Sequence, residues 1–340
     1  MISSAAMRVP AVAITAIVTL VACSPRPAGD ALPRLNIMPG SLTVSGVSAG
    51  GYMATQYQVA YSDNVAGAGI VAAGPWLCAR GVVTRALRDC LAGETGGPDV
   101  APLVAALRAS AAIGAVDDPS GLAADRIWIF HGAKDGVVGA AVSDSLLRFY
   151  KAFVPLERVR YETRVPAGHG VPTIAGGKSC DAGDSPWILA CGYDAAGMML
   201  NHLYDGLATP SGSVTGTLRE FGQARYAGSN RLASMAGTGF LFVPRDCAEG
   251  KPCRVHVAFH GCGQGVGAIG DTFPRQAGYE RWADANRIVV LYPQADESTL
   301  RPLNPRGCWD WWGYSGLDYA AKSGAQLSAV HRMLVALGVT

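Results

Sequence analysis

The segment Gly46-Val47-Ser48-Ala49-Gly50-Gly51 constrains this chain more than any other. It follows a strand pattern, Leu42–Val47, and helix-forming residues, 49–61, come after it. A G-x-S-x-G segment in that setting predicts a sharp strand-to-helix turn with the serine at its apex. Such a turn strains the serine backbone, and side chains at 46 and 50 would clash across it. Ser48 Oγ is then presented at the carboxyl end of a sheet. The amino terminus of the helix points at any oxyanion that forms there. Ser48 is therefore the candidate nucleophile.

The rest of the chain agrees with an alternation of sheet and helix. Short apolar runs predict strands at Leu42–Val47, Ala68–Ala72, Arg126–Phe130, Val159–Arg164, Thr217–Phe221, Gly239–Val243, Arg254–Phe259 and Ile288–Tyr292. Helical stretches are expected at 49–61, 101–113, 140–153, 194–205, 275–286 and 322–337. The class is α/β. With 340 residues, one large domain or two medium ones would fit. No linker-like stretch divides the chain, so a single domain over 35–340 is expected. Apolar residues make up 49% and charged residues 16%, the reverse of a disordered chain. A net charge of +2 is too small and too spread out along the chain for a nucleic-acid binder, so no nucleic-acid partner is expected.

The amino terminus reads as an address. Arg8 precedes an apolar run from Val9 to Ala22, the length of an export signal core and short for a bilayer span. The run ends Leu20-Val21-Ala22-Cys23, which resembles a bacterial lipobox with Cys23 as the lipidated residue. Segment 1–23 is then a signal peptide and 24–34 a tether. Export is expected either way, to the periplasm and outer membrane as a lipoprotein or to the outside as a secreted protein. The only membrane contact expected is that lipid anchor.

Cys23 apart, eight of the nine cysteines remain, an even number that reads as disulfides in an oxidising compartment. Three pairs are close in sequence: Cys78–Cys90, Cys180–Cys191 and Cys247–Cys253. Cys262 and Cys308 are left for each other. Zinc is the rival reading, but there is no C-x-x-C and no histidine at ligand spacing. No metal and no organic cofactor is expected.

A nucleophilic serine needs a base, and the base needs an orienting acid. Asp135 lies in His131-Gly132-Ala133-Lys134-Asp135-Gly136, where a buried strand runs into a loop. His169 lies in Ala167-Gly168-His169-Gly170, again just past a strand. Ser48, Asp135 and His169 occur in the chain order of α/β-hydrolases. Asp117, Asp118 and Asp125 precede their strand and are weaker acids for the role. His131 reads as structural, and His202 is the other rival base.

A third element is out of its usual place. Val257–Phe259 runs into His260-Gly261-Cys262-Gly263-Gln264, which resembles the H-G oxyanion loop of α/β-hydrolases. In that fold the loop precedes the nucleophile, whereas here it comes long after it. Joining the carboxyl terminus to residue 35 would restore the usual order. The fold expected is thus a circularly permuted α/β-hydrolase with a mostly parallel central sheet flanked by helices. The segments G-V-S-A-G-G-Y-M-A, H-G-A-K-D-x-V-V, A-G-H-G-V-P, F-H-G-C-G-Q and N-P-R-G-C-W-D-W-W together resemble polyhydroxybutyrate depolymerases of the single-domain, permuted type.

That resemblance implies a serine esterase acting on a polyester or oligoester. Ser48 is the implied nucleophile, His169 the base and Asp135 the acid. The N–H groups of Ala49 and Cys262 form the implied oxyanion hole. Trp309 is expected to line the cleft, while Trp311 and Trp312 are expected to pack within the loop. A feruloyl or acetylxylan esterase shares the H-G-C-x-Q and G-x-S-x-G-G segments and is the alternative.

Overall fold

The computed structural model describes Met1, residues 29–228 and residues 231–340. Cys23 and the segment read as an export signal lie outside the described residues. The eight strand patterns named above form one sheet. In chain order its first four members are β1 (Ile37–Val47), β2 (Val65–Val71), β3 (Arg126–Phe130) and β4 (Val159–Glu162). Three short strands follow, β5 (Val171–Thr173), β6 (Lys178–Ser179) and β7 (Ile188–Ala190), which make a small sheet of their own. The main sheet is completed by β8 (Thr217–Gly222), β9 (Thr238–Val243), β10 (Cys253–Phe259) and β11 (Ile288–Tyr292). Its order is β4-β3-β2-β1-β10-β11-β9-β8. The strands from β4 to β11 run parallel, and β9 and β8 add antiparallel pairs at one side. Side chains of β11 are buried throughout, as a parallel strand covered on both faces requires.

Beside β1 the core holds a chain of polar groups. Tyr279 Oη contacts Ser45 Oγ at 2.9 Å, and Ser45 Oγ contacts His256 Nε2 at 2.7 Å. His256 Nδ1 lies 2.7 Å from Thr43 Oγ1, which donates to Tyr204 Oη, which donates to the carbonyl of Val255. One direction satisfies every member: Nδ1–H donates to Thr43, so Nε2 accepts from Ser45 and Ser45 accepts from Tyr279. Burial pushes His256 down to about 3, which keeps the ring neutral as this chain needs.

The helix α1 (Ala49–Ala60) is buried along its whole length. Its polar residues must therefore find partners inside the protein. Gln56 donates to the carbonyl of Asp310, and Gln58 donates to Asp125 Oδ2 at 2.6 Å while accepting from Tyr150. Burial pushes the Asp125 carboxyl up to about 7, against the opposing effects of the Gln58 hydrogen bond and the Arg158 charge. The folded state thus holds its proton more tightly than the unfolded chain. That contribution to stability is complete below the ordinary carboxylate range and is lost as pH rises to about 7. Asp125→Asn keeps an acceptor for Gln58 and should remove this loss, on the order of 4 kcal/mol. Urea midpoints at pH 4 and pH 8 should converge in the variant relative to the native chain. Equal pH slopes in both proteins would rule the assignment out.

The two ends of the sheet-bearing chain meet. Leu35 N–H donates to the carbonyl of Leu337, at the end of the helix Ala325–Leu337, over 2.8 Å. The described end of the expected tether is docked rather than free. Leu32 is buried, its N–H donates to Tyr226 Oη, and the carbonyl of Asp30 accepts from Gly222 N–H. No helix among the described residues is long and apolar enough to cross a membrane.

Candidate active site

The carboxyl ends of five neighbouring parallel strands, β4, β3, β2, β1 and β10, build the site. At the end of β1, Ser48 adopts φ 56° and ψ −123°, a left-handed conformation that a non-glycine residue rarely holds. Its N–H donates to Val71 at the end of β2, and its carbonyl accepts from Tyr52 in α1. A Cβ on Gly46 would lie 2.1 Å from the Gly50 carbonyl oxygen, so the turn closes only with glycine.

The loop after β3 carries Asp135. His131 anchors it through a 2.9 Å contact of Nε2 with the Val138 carbonyl. Asp135 Oδ1 accepts the N–H groups of Val137 and Val138, and Oδ2 accepts from His169 Nδ1 at 2.9 Å. The Asp135 side chain is fully buried. Burial pushes its carboxyl up, but the His169 hydrogen bond and charge, with the two backbone donors, outweigh that. The net effect holds it below the ordinary carboxylate value. His202 contacts the Arg158 carbonyl and has no part in this pair.

His169 follows β4 and is held from both sides. Gly168 N–H donates to Cys180, and Val171 N–H donates to the Trp187 carbonyl. Both partners belong to the stretch framed by the Cys180–Cys191 disulfide.

After β10, His260 is buried and its pKa is pushed down to about 4, so the ring is neutral. Its Nδ1 contacts the Gly261 carbonyl and its Nε2 accepts from Ala295 N–H. Gln264 accepts from Gly261 N–H and donates to the Pro186 carbonyl. The oxyanion-type loop is thereby tied to the segment that holds His169. A Cβ on Gly261 would stand 3.5 Å from Ser48 Cβ, which puts this loop beside the serine. Among the described residues, no hydrogen bond engages the N–H of Ala49 or Cys262. All four expected cysteine pairs are disulfides.

Ser48, Ala49, His169 and Cys262 line one cleft of about 700 Å³, walled largely by apolar and aromatic side chains. The tryptophans trade their expected places. Trp309 is fully buried, packed edge-on against Phe259 and beside His260. Trp311 and Trp312 line the cleft instead, with Trp311 stacked on Tyr52 at 5.0 Å. Asp310 causes the exchange. Buried, and pushed up by that burial, it accepts from the N–H groups of Gly313, Tyr314 and Ser315. The chain folds back around this carboxylate, turning residues 311 and 312 outward to the cleft and 309 inward.

Trp187 also lines the cleft, although nothing in the sequence singled it out. It has φ 54°, and its ring lies where a side chain on Gly263 would be, 2.8 Å from that Cβ position. Among the described residues, no group of three or more His, Cys, Asp or Glu side chains is placed to hold a metal.

No family model matches the chain. It is 39% identical over 308 residues to a poly(3-hydroxybutyrate) depolymerase of Delftia acidovorans, covering 89% of this chain and 60% of that protein. It is 37% identical over 318 residues to a polyhydroxybutyrate depolymerase of Talaromyces funiculosus, covering 89% of this chain and 91% of that protein. The chain belongs to the polyhydroxybutyrate depolymerase family. Two solved depolymerase structures superpose with a TM-score of 0.83 at 35% identity. One is from Penicillium funiculosum and covers 91% of this chain and all of its own. The other is a serine-to-alanine depolymerase complexed with an R3HB trimer, covering 90% of this chain and 98% of its own. A mixed α/β depolymerase fold is thus shared, and the feruloyl or acetylxylan alternative is not favoured.

Proposed function

We propose that the chain is an exported serine esterase that hydrolyses ester bonds of poly(3-hydroxybutyrate) or its oligomers. One observation carries the reading: a left-handed serine, an Asp-held histidine and two unengaged N–H groups border a single apolar cleft. His169, donating through Nδ1 to Asp135, keeps Nε2 as the base. It takes the Ser48 proton as Oγ attacks the ester carbonyl. The N–H groups of Ala49 and Cys262 stabilise the oxyanion, each donor contributing about 2.7–4 kcal/mol in comparable enzymes. His169 then protonates the leaving alcohol, and water releases the acyl group. The Cys262–Cys308 disulfide preorganises the second donor. The apolar cleft suits an uncharged polyester.

Four disulfides support placement in an oxidising compartment. The lipid anchor at Cys23 is part of this proposal. The deciding experiment is product analysis on amorphous polymer. Release of 3-hydroxybutyrate is expected. Release of only ferulate or acetate from plant polysaccharide would overturn the assignment.

The permuted order belongs to the same reading. The oxyanion strand β10 neighbours the nucleophile strand β1 although it comes late in the chain. Ends that meet at Leu35 and Leu337 allow re-joining. A permutant that begins near Gly250 and is linked through 340 and 35 should fold and hydrolyse esters. An unfolded permutant would count against this topology.

A further inference from the structure

The cleft is neutral except at one point. Among its described lining residues, Arg306 is the only arginine, lysine, aspartate or glutamate. A neutral aliphatic polyester has no anionic group along its length for that charge to meet. The anion of such a substrate is the free carboxylate at one end of the chain. We propose that Arg306 binds this terminal carboxylate, so that the site favours oligomers presenting a free carboxyl end. The proposal rests on the esterase reading above.

Three features make Arg306 available for that role. Its side chain forms no ion pair with any described residue, and Glu297, which packs near Gly307, is not its partner. The guanidinium lies over the Trp187 ring, 5.5 Å from the centroid. Stacking uses the face of the guanidinium and leaves its in-plane donors free for a carboxylate. Its position is also fixed relative to the chemistry. The Arg306 carbonyl accepts from Gly263 N–H at 2.6 Å, and Cys308, two residues on, is bonded to Cys262. The guanidinium therefore rises from a segment bonded to the oxyanion-type loop, over a tryptophan packed on that loop.

The chemistry fixes which fragment carries the anion. The bond that breaks joins the acyl carbon to the alkoxy oxygen. The acyl carbon stays bonded to Ser48 Oγ. The electron pair leaves with the alkoxy oxygen, which takes its proton from His169. Units toward the carboxyl end depart with that alcohol, so the carboxylate held by Arg306 belongs to the leaving fragment. Interior cleavage of a long chain places no anion there and gains nothing from Arg306.

The test compares the R-3-hydroxybutyrate trimer as free acid with its methyl ester. In the native protein kcat/KM should favour the acid, and added NaCl should shrink the preference. In Arg306→Gln the acid-to-ester ratio should fall about tenfold, the scale of one charge-assisted hydrogen bond at an open site. Arg306→Lys keeps the charge without the fork and should give an intermediate ratio. An unchanged ratio, including a parallel loss on both trimers from disturbance of Trp187, overturns the proposal. If Arg306→Gln does not fold, the ratio in Arg306→Lys and the salt dependence of the native ratio decide in the same way. Failure of the native protein to cleave either trimer would overturn the esterase reading, and this proposal with it.

Discussion

Ser48→Ala should lower kcat on 3-hydroxybutyrate oligomers by roughly 10⁴- to 10⁶-fold while leaving the melting temperature close to that of the native protein. The size follows from what the substitution leaves in place. His169 remains bonded to Asp135, the cleft keeps its walls, and Ala49 and Cys262 still offer N–H donors. Binding and oxyanion stabilisation survive, but no covalent step is available. His169→Ala should fall in the same range, because Ser48 without a base is a poor nucleophile at neutral pH. The two losses should not add, since serine and histidine act as one unit. Initial rates on a soluble oligomer, read beside a thermal melt, separate loss of chemistry from loss of fold. Native activity in Ser48→Ala would remove the serine from the mechanism.

The sheet was legible because its strands carry their own signal. Arg126–Phe130 and Ile288–Tyr292 are short apolar runs bounded by polar residues, and their observed limits are those expected. The small sheet β5-β7-β6 carried no such signal. Its strand at Lys178–Ser179 is two exposed residues, held in place by long-range contacts and a disulfide rather than by a pattern of its own. The turn at 83–92 was missed for a related reason. Its helical path is fixed by the Cys78–Cys90 bridge and by the hydrogen bond from Tyr52 to the Cys90 carbonyl, neither of which shows as periodicity.

The proposed active-site groups divide along the same line. Ser48, Asp135 and His169 stand at strand ends, where a local pattern locates them. The tryptophans stand in a loop whose path is set by one buried acceptor. Asp310 gathers backbone donors from Gly313, Tyr314 and Ser315, while its own N–H donates to Gln326 and its carbonyl accepts from Gln56. An aspartate between tryptophans in sequence does not disclose that role, so proximity to Cys308 pointed to the wrong ring. Trp187 was invisible for the opposite reason. Its importance comes from the two loops it touches, at Gly263 and at Val171, which lie far apart in the chain.

Gly50→Ala should abolish the folded active protein, and it probes the close approach of α1 to the end of β10. A Cβ at 50 would lie 2.3 Å from the Phe259 carbonyl oxygen and 2.4 Å from that of His260. Both are backbone atoms, so no side chain can rotate aside. To admit one methyl group, α1 must move away from the end of β10, or β10 from β1. The first movement displaces Ser48 and Ala49; the second displaces Gly261 and Cys262. Either separates the nucleophile from half of the proposed oxyanion hole. Misplacement of about 1 Å alone costs on the order of 10²-fold in rate. Because α1 is buried along its whole length, the shift also opens the core between α1 and the sheet, and a loss of several kcal/mol is expected. A melt and an esterase assay on Gly50→Ala decide the matter. Near-native stability and activity together would mean that β1, α1 and the loop after β10 do not meet in this way. Gly136 is the internal control, since a Cβ there meets nothing within 4 Å, and Gly136→Ala should fold normally.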